Sequence, residues 1–159
     1  MEKKKLLIYA HYYIPDTAST GQILRELAEG MLDQFDITVI CVVPSYLGII
    51  EDKYKAKKYY IENINGVNVL RIRVPEFSKS NKKSRIKNIV SYFFGAMAAT
   101  FKVGKMDYIF SISQPPILGG LLGVWGKWVK QAKYIYNIQD FNPEQVLADG
   151  YSQSKLITD

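Results

Sequence analysis

Leu6-Leu7-Ile8-Tyr9-Ala10-His11-Tyr12-Tyr13-Ile14-Pro15-Asp16-Thr17-Ala18-Ser19-Thr20-Gly21-Gln22-Ile23-Leu24 decides the fold. It opens on an unbroken apolar run, Leu6–Ala10, as a strand covered on both faces requires. It crosses a polar loop, Tyr13–Gly21, and enters a helix near Gly21. There Ile23, Leu24, Leu27, Ala28, Met31 and Leu32 recur at helical spacing, while Arg25, Glu26, Glu29 and Asp33 fill the other side. Ser19 and Gln22 stand at capping-box spacing, which predicts that they close the helix start. The chain therefore begins as a buried strand crossing over through an amphipathic helix.

The same alternation continues outward. Asp36–Val43 is β-branched and nearly continuous, a second interior strand ended by Pro44. Asn65-Gly66 is a hairpin turn signal between Tyr59–Asn63 and Gly66–Val74, and the second arm supplies the third core strand. After a basic, Ser-rich loop, Phe77–Arg85, a long helix follows. Its apolar stripe Ile86, Ile89, Val90, Phe93, Phe94, Met97, Ala98 and Phe101 is expected to pack on the sheet. That leaves the weakly polar side, Tyr92, Gly95, Ala96 and Ala99, facing outward. Tyr108–Ile112 and Tyr134–Ile138 are further strands, separated by a helix starting at Pro116. Gly119, Gly120, Gly123 and Gly126 would weaken that helix alone by ~1 kcal/mol each, so a close approach to the sheet is expected there.

This order is an α/β domain. It predicts a Rossmann-like, doubly wound, mostly parallel sheet with helices on both faces and core strand order 3-2-1-4-5. Ligands in such sheets bind beyond the carboxyl ends of the strands, near the point where strand order reverses. Three loops meet that description: Tyr13–Gly21, Ser113–Pro116 and Gln139–Glu144.

Composition excludes several classes. The 159 residues fit a single domain, read as 1–159. With one cysteine, Cys41, and one histidine, His11, neither a disulfide framework nor a metal cage of paired histidines can form within the chain. The charge-free run Tyr108–Gly126 is broken by polar residues and prolines, and its apolar remainder falls short of the ~20 residues that span a bilayer. The expected compartment is the cytoplasm. Lys and Arg number 21 against 15 Asp and Glu, and the excess is clustered at Lys53–Lys58, Lys79–Lys87 and Lys127–Lys133. Such clusters draw nucleic acid, anionic lipid or phosphorylated ligands, or serve only as a solvated surface.

The loops narrow the chemistry. The first has Thr17, Ser19, Thr20 and Gly21 at a helix amino end, where an anion is favoured. It lacks the G-x-G-x-x-G of dinucleotide sites and the G-K-[ST] of phosphate loops. The second offers Ser111, Ser113 and Gln114 before two prolines. The third carries Gln139, Asp140 and Glu144, an acidic pair suited to acid–base work or to capping. His11 ends the first strand with no relay partner nearby in sequence.

In combination these segments resemble the amino-terminal domain of GT-B fold glycosyltransferases. The nearest likeness is to the group 1, family 4-like bacterial enzymes of capsule, O-antigen and colanic-acid synthesis. The matching segments, in order, are Tyr12-Tyr13-Ile14-Pro15-Asp16 with Thr20-Gly21, Pro44-Ser45-Tyr46, Asn65-Gly66-Val67-Asn68-Val69-Leu70-Arg71, Ser113-Gln114-Pro115-Pro116 and Gln139-Asp140-Phe141-Asn142-Pro143-Glu144. The resemblance covers nearly the whole chain. It implies the acceptor-side half of a longer enzyme, with a donor-binding domain lying outside the chain and no activity from this half alone. It implies hexose transfer from a nucleoside diphosphate sugar to a saccharide or polyprenyl-linked acceptor, without metal or other cofactor and without nucleic acid as partner. Asp140 would be catalytic. Asp16, Thr20, Gly21, Tyr46, Gln114 and Gln139 would bind substrate, Gln139 standing where relatives have histidine or arginine.

Were the acceptor lipid-linked, Lys79, Lys82, Lys83, Arg85 and Lys87 would meet an anionic membrane at its inner face. The alternative is an α/β module that binds a nucleotide or partner without catalysis. A dehydrogenase-like domain is disfavoured by the missing glycine fingerprint.

Overall fold

A computed structural model describes residues 2–139. The strands are β1 (Lys4–Tyr9), β2 (Phe35–Val42), β3 (Tyr59–Ile64), β4 (Val67–Ile72), β5 (Tyr108–Ile112) and β6 (Lys133–Asn137). They form one six-stranded sheet in the order β3-β4-β2-β1-β5-β6. Every neighbouring pair is parallel except β3 with β4. With β3 set aside as an antiparallel edge, this is the expected 3-2-1-4-5 core. The β3–β4 turn places Asn65 at φ 50° and Gly66 at φ 90°, the left-handed pair that a tight two-residue hairpin needs.

Three helices complete the fold: α1 (Ser19–Gly30), α2 (Lys82–Thr100) and α3 (Pro116–Lys130). Side chains alternate across the sheet, so each strand feeds two cores. Leu6, Ile8, Ile37, Val39, Val67 and Val69 pack with Leu24 and Ala28 of α1. Leu7, Tyr9, Ile40, Val42, Leu70 and Ile72 pack with Tyr92, Ala96 and Ala99 of α2 and Leu122 of α3. Helices on both faces around a mostly parallel sheet make the domain Rossmann-like.

Two expectations are corrected. The capping box is not formed: α1 is preceded by Ala18, which makes no side-chain cap, and Ala18 O accepts from Gly21 and Gln22 amides. Ser19 is thus already inside the helix, one position too late to cap it. The larger correction concerns α2, which is rotated by half a turn relative to the expected packing. Tyr92, Gly95, Ala96 and Ala99 are the buried residues, together with Asn88 and Thr100. Ile86, Val90, Phe94 and Phe101 lie outward, at 60, 42, 63 and 65% exposure.

The cause is room. The sheet beneath α2 already presents Tyr9, Ile40 and Ile72, and a Cβ added to Gly95 would stand 2.7 Å from Ile72 Cγ2. The small side chains Gly95, Ala96 and Ala99 let the helix approach around the buried Tyr92; Phe93 and Met97 pack at the margin of the core, and Ile86, Val90, Phe94 and Phe101 are left outside. The polar residues taken inward are satisfied. Thr100 Oγ1 is 2.6 Å from Tyr9 Oη and donates to Ala96 O, while Asn88 Nδ2 donates to Pro75 O.

The glycines of α3 bear out the expected close approach. A Cβ on Gly119 would collide with the Ile112 carbonyl, and one on Gly123 with the Tyr134 ring. The Tyr134 hydroxyl enters this gap and donates to Gly120 O at 3.3 Å.

Candidate functional site

A cavity of about 410 Å³ opens at the carboxyl ends of the parallel strands. The loop after β1 supplies His11 and Tyr12, the loop after β2 supplies Tyr46, and the loop after β5 supplies Gln114 and Pro115. Phe77 and Lys79 come from the loop after β4, and Arg85, Asn88 and Ile89 from the first turns of α2. Strand order reverses at β1, between β2 and β5, so the cavity sits where doubly wound sheets open a crevice.

The wall formed by the first two loops is aromatic. The Tyr12 and Tyr46 rings meet edge to face at 5.3 Å. Lys79 Nζ lies 5.2 Å from the Tyr46 ring centroid, so the ring holds a cation at the cavity mouth. Arg85 adds a second positive charge. Among the described residues no carboxylate lines the cavity. The charge these residues bring to it is positive, with flat ring surfaces beside it.

His11 is buried and remains neutral at physiological pH. Its Nε2 donates to Asn88 Oδ1 at 3.2 Å, the oxygen left over once Asn88 Nδ2 donates to Pro75. Burial lowers its pKa to about 4, although the Asn88 bond acts the other way. Burial also lifts the Tyr12 hydroxyl to about 12, helped by the charge of Asp16. Both groups are neutral hydrogen-bonding surfaces at neutral pH, not proton carriers.

The sequence-predicted residues separate into distinct roles. Tyr46 and Gln114 line the cavity. Thr20 Oγ1 donates to Gln114 Oε1 at 2.9 Å and so joins the start of α1 to the β5 loop. Gly21 lies below this contact, where a Cβ would stand 3.2 Å from Tyr12 O. Asp16 faces the β2 loop, accepting from Ser45 N at 3.1 Å and Tyr46 N at 3.0 Å. Burial raises its pKa, against those two bonds. In this arrangement its carboxylate braces Tyr46 and is not a cavity wall.

Gln139 N donates to Ser113 Oγ at 3.0 Å, which puts the residue at the β5–β6 end of the crevice. Asp140, the predicted catalytic residue, lies outside the described residues, as does the rest of its loop. Lys79 and Arg85 belong to the cavity. Lys82, Lys83 and Lys87 are exposed on the first turns of α2.

A buried guanidinium supports the floor of this region. Arg71, on β4, is fully buried and donates to Glu62 Oε2 at 2.6 Å, to Val42 O at 3.4 Å and to Ile14 O in the first loop. Glu62 is partly exposed, but losing it would leave the buried Arg71 guanidinium as an unpaired charge, which is costly. Sequence reasoning passed over Asn88, Phe77 and Ile89 as site residues. The inverted α2 explains one of the three: Asn88 reads as a site residue only once the inward side of the helix is known.

Among the described residues no group of three or more His, Cys, Asp and Glu is placed to hold a metal ion, and no helix is long and apolar enough to cross a membrane. No protein-family model matches the chain, and no curated protein matches it.

Proposed function

We propose that the chain is the acceptor-side domain of a glycosyltransferase that moves a hexose from a nucleoside diphosphate sugar to a saccharide or polyprenyl-linked acceptor in cell-surface polysaccharide synthesis. The observation that carries the reading is the cavity at the strand-order reversal, with tyrosine rings, two cations and neutral hydrogen-bonding groups converging on it. The apolar face of a sugar ring packs on Tyr12 or Tyr46. Gln114 and His11 suit hydroxyl groups, and Lys79 with Arg85 suits a phosphate or other anion. The motif order along the sequence supports the same reading.

In the proposed reaction the bond between the anomeric carbon and the diphosphate oxygen breaks, and that oxygen keeps the electron pair. The acceptor oxygen bonds to the anomeric carbon and gives its proton to a carboxylate, for which Asp140 is the candidate. Lys79 and Arg85 orient the acceptor and do not act on the proton.

The test uses the protein encoded by the whole reading frame that contains this chain, with labelled nucleotide sugars and membrane extracts. Label should pass to an acceptor, falling by about 10²-fold or more in Asp140→Ala. The double variant Lys79→Glu/Arg85→Glu should raise the acceptor KM with little change in the donor KM. Absence of transfer from every donor, with nucleotide or protein binding retained in calorimetry, would instead favour a binding module without catalysis.

A further inference from the structure

We propose that the outward face of α2 and α3 docks on an anionic lipid bilayer. The two helices lie side by side on one face of the sheet. Trp125 Nε1 donates to Met97 O, and the Phe101 and Trp125 rings meet edge to face at 5.8 Å. Each helix turns an apolar stripe away from the sheet. On α2 the stripe is Ile86, Val90, Phe94 and Phe101, spaced i, i+4, i+8 and i+15. On α3 it is Ile117, Leu121, Val124 and Trp128, spaced i, i+4, i+7 and i+11, with 76% of Ile117 and 73% of Trp128 exposed. Large apolar side chains at these spacings form continuous ridges, and exposed ridges of this extent mark interaction surfaces.

Charge selects the occupant. Asp107 is the only acidic residue from Phe77 to Gln139, and every other charge in that stretch is a Lys or Arg. Neither helix carries a carboxylate. Lys82, Lys83 and Lys87 flank the α2 ridge, and Lys127 stands beside Trp128 on α3. The ion pairs among the described residues all lie elsewhere. The Lys53–Lys58 cluster is different in kind, since Lys53 and Lys55 are paired with Glu51 and Asp52.

A groove of about 600 Å³ runs beside Val90 and Phe94 and is lined by Lys58 and Arg73, a place for a headgroup phosphate. Apolar ridges rimmed by cations are the pattern of an amphipathic surface lying in the headgroup region. A second copy of this chain would bring like charges together across the same face. The basic rim of α2 is continuous with Lys79 and Arg85, so docking would bring the mouth of the cavity close to the bilayer surface. The proposal does not rest on sugar transfer, and its test needs no donor.

The experiment is co-sedimentation of the protein with vesicles of phosphatidylcholine alone or with phosphatidylglycerol, together with quenching of tryptophan emission by brominated acyl chains. Binding should require phosphatidylglycerol and be accompanied by quenching of Trp128. Each lysine near an anionic surface contributes roughly fivefold to affinity, so Lys82→Glu/Lys83→Glu/Lys87→Glu should weaken binding by about 100-fold or more. Phe94→Glu/Trp128→Glu changes only exposed positions and should abolish acyl-chain insertion while leaving circular dichroism unchanged. The proposal is overturned by absence of vesicle binding, by equal binding to neutral vesicles, or by binding that survives both variants. Self-association on ultracentrifugation that Phe94→Glu removes, without vesicle binding, would overturn it in favour of a dimer.

Discussion

Helices α1 and α2 do the same job on opposite faces of one sheet, yet they follow opposite rules. On α1 the charged residues mark the outside. Arg25 reaches Glu29 at 3.8 Å along the surface, and Leu24 and Ala28 face the sheet. On α2 the room above the sheet decides. Gly95, Ala96 and Ala99 go inward around one large ring, Tyr92, with two satisfied polar residues, Asn88 and Thr100, and Phe94 and Phe101 go outward. Hydrophobicity tells which side of a helix is buried only when the other side is polar. Where both sides are apolar, the space above the sheet chooses, and it chooses the narrower side.

That contrast can be broken at its strongest points. Truncating α1 at Leu24→Ala removes a large buried side chain and should cost about 3 kcal/mol. Enlarging α2 at Ala96→Leu should cost about 2 kcal/mol, although it adds apolar surface to a buried position. Denaturant midpoints check both; a stabilising Ala96→Leu would show that the inner side of α2 is not space-limited.

The next test concerns the polar contact that ties α2 to the end of β1. Burial holds His11 near pKa 4 in the folded chain, against about 6.5 when unfolded. The unfolded state therefore takes up a proton first, so the contribution is complete above pH 6.5 and is lost as pH falls toward 4. About 2 kcal/mol should disappear between pH 7.5 and pH 5 in the wild type relative to His11→Gln. Equal pH profiles for the two proteins would remove His11 from the account.

The smallest effect sharpens the comparison most. Phe94→Ser on α2 and Ile23→Ser on α1 both alter exposed positions, so each should shift stability by no more than about 0.5 kcal/mol in thermal melts. A loss of about 3 kcal/mol at Phe94 would mean that it packs in the core after all.

Much of the sheet was legible because its strands are short apolar runs set between polar or turn-forming residues. Leu6–Ala10, Asp36–Val43 and the Asn65-Gly66 hairpin each appear within a residue or two of their expected bounds. Gln114 was legible as a site residue because the parallel topology brings its loop to the crevice, whereas Tyr46 was named only through the resemblance of Pro44-Ser45-Tyr46. Asn88 was not legible, since a polar residue on a helix reads as solvent-facing until its partners, His11 and the Pro75 carbonyl, are placed. The role of Asp16 was also hidden. A carboxylate next to Pro15 gives no sign that two amides from a loop some thirty residues on will claim it. Asp140 lies outside the described residues, so its assignment rests on the sequence.

The notch that α3 keeps for Tyr134 bears on how the chain is made. Synthesis delivers α3 before β6, and a helix with four glycines has little tendency to persist unaided. Until β6 arrives, Gly123 lacks the Tyr134 ring that fills the space against it, and the Gly120 carbonyl lacks the phenol that later donates to it. The β5–α3–β6 unit is therefore locked from its far end, with a strand that leaves the ribosome after its helix acting as the pin.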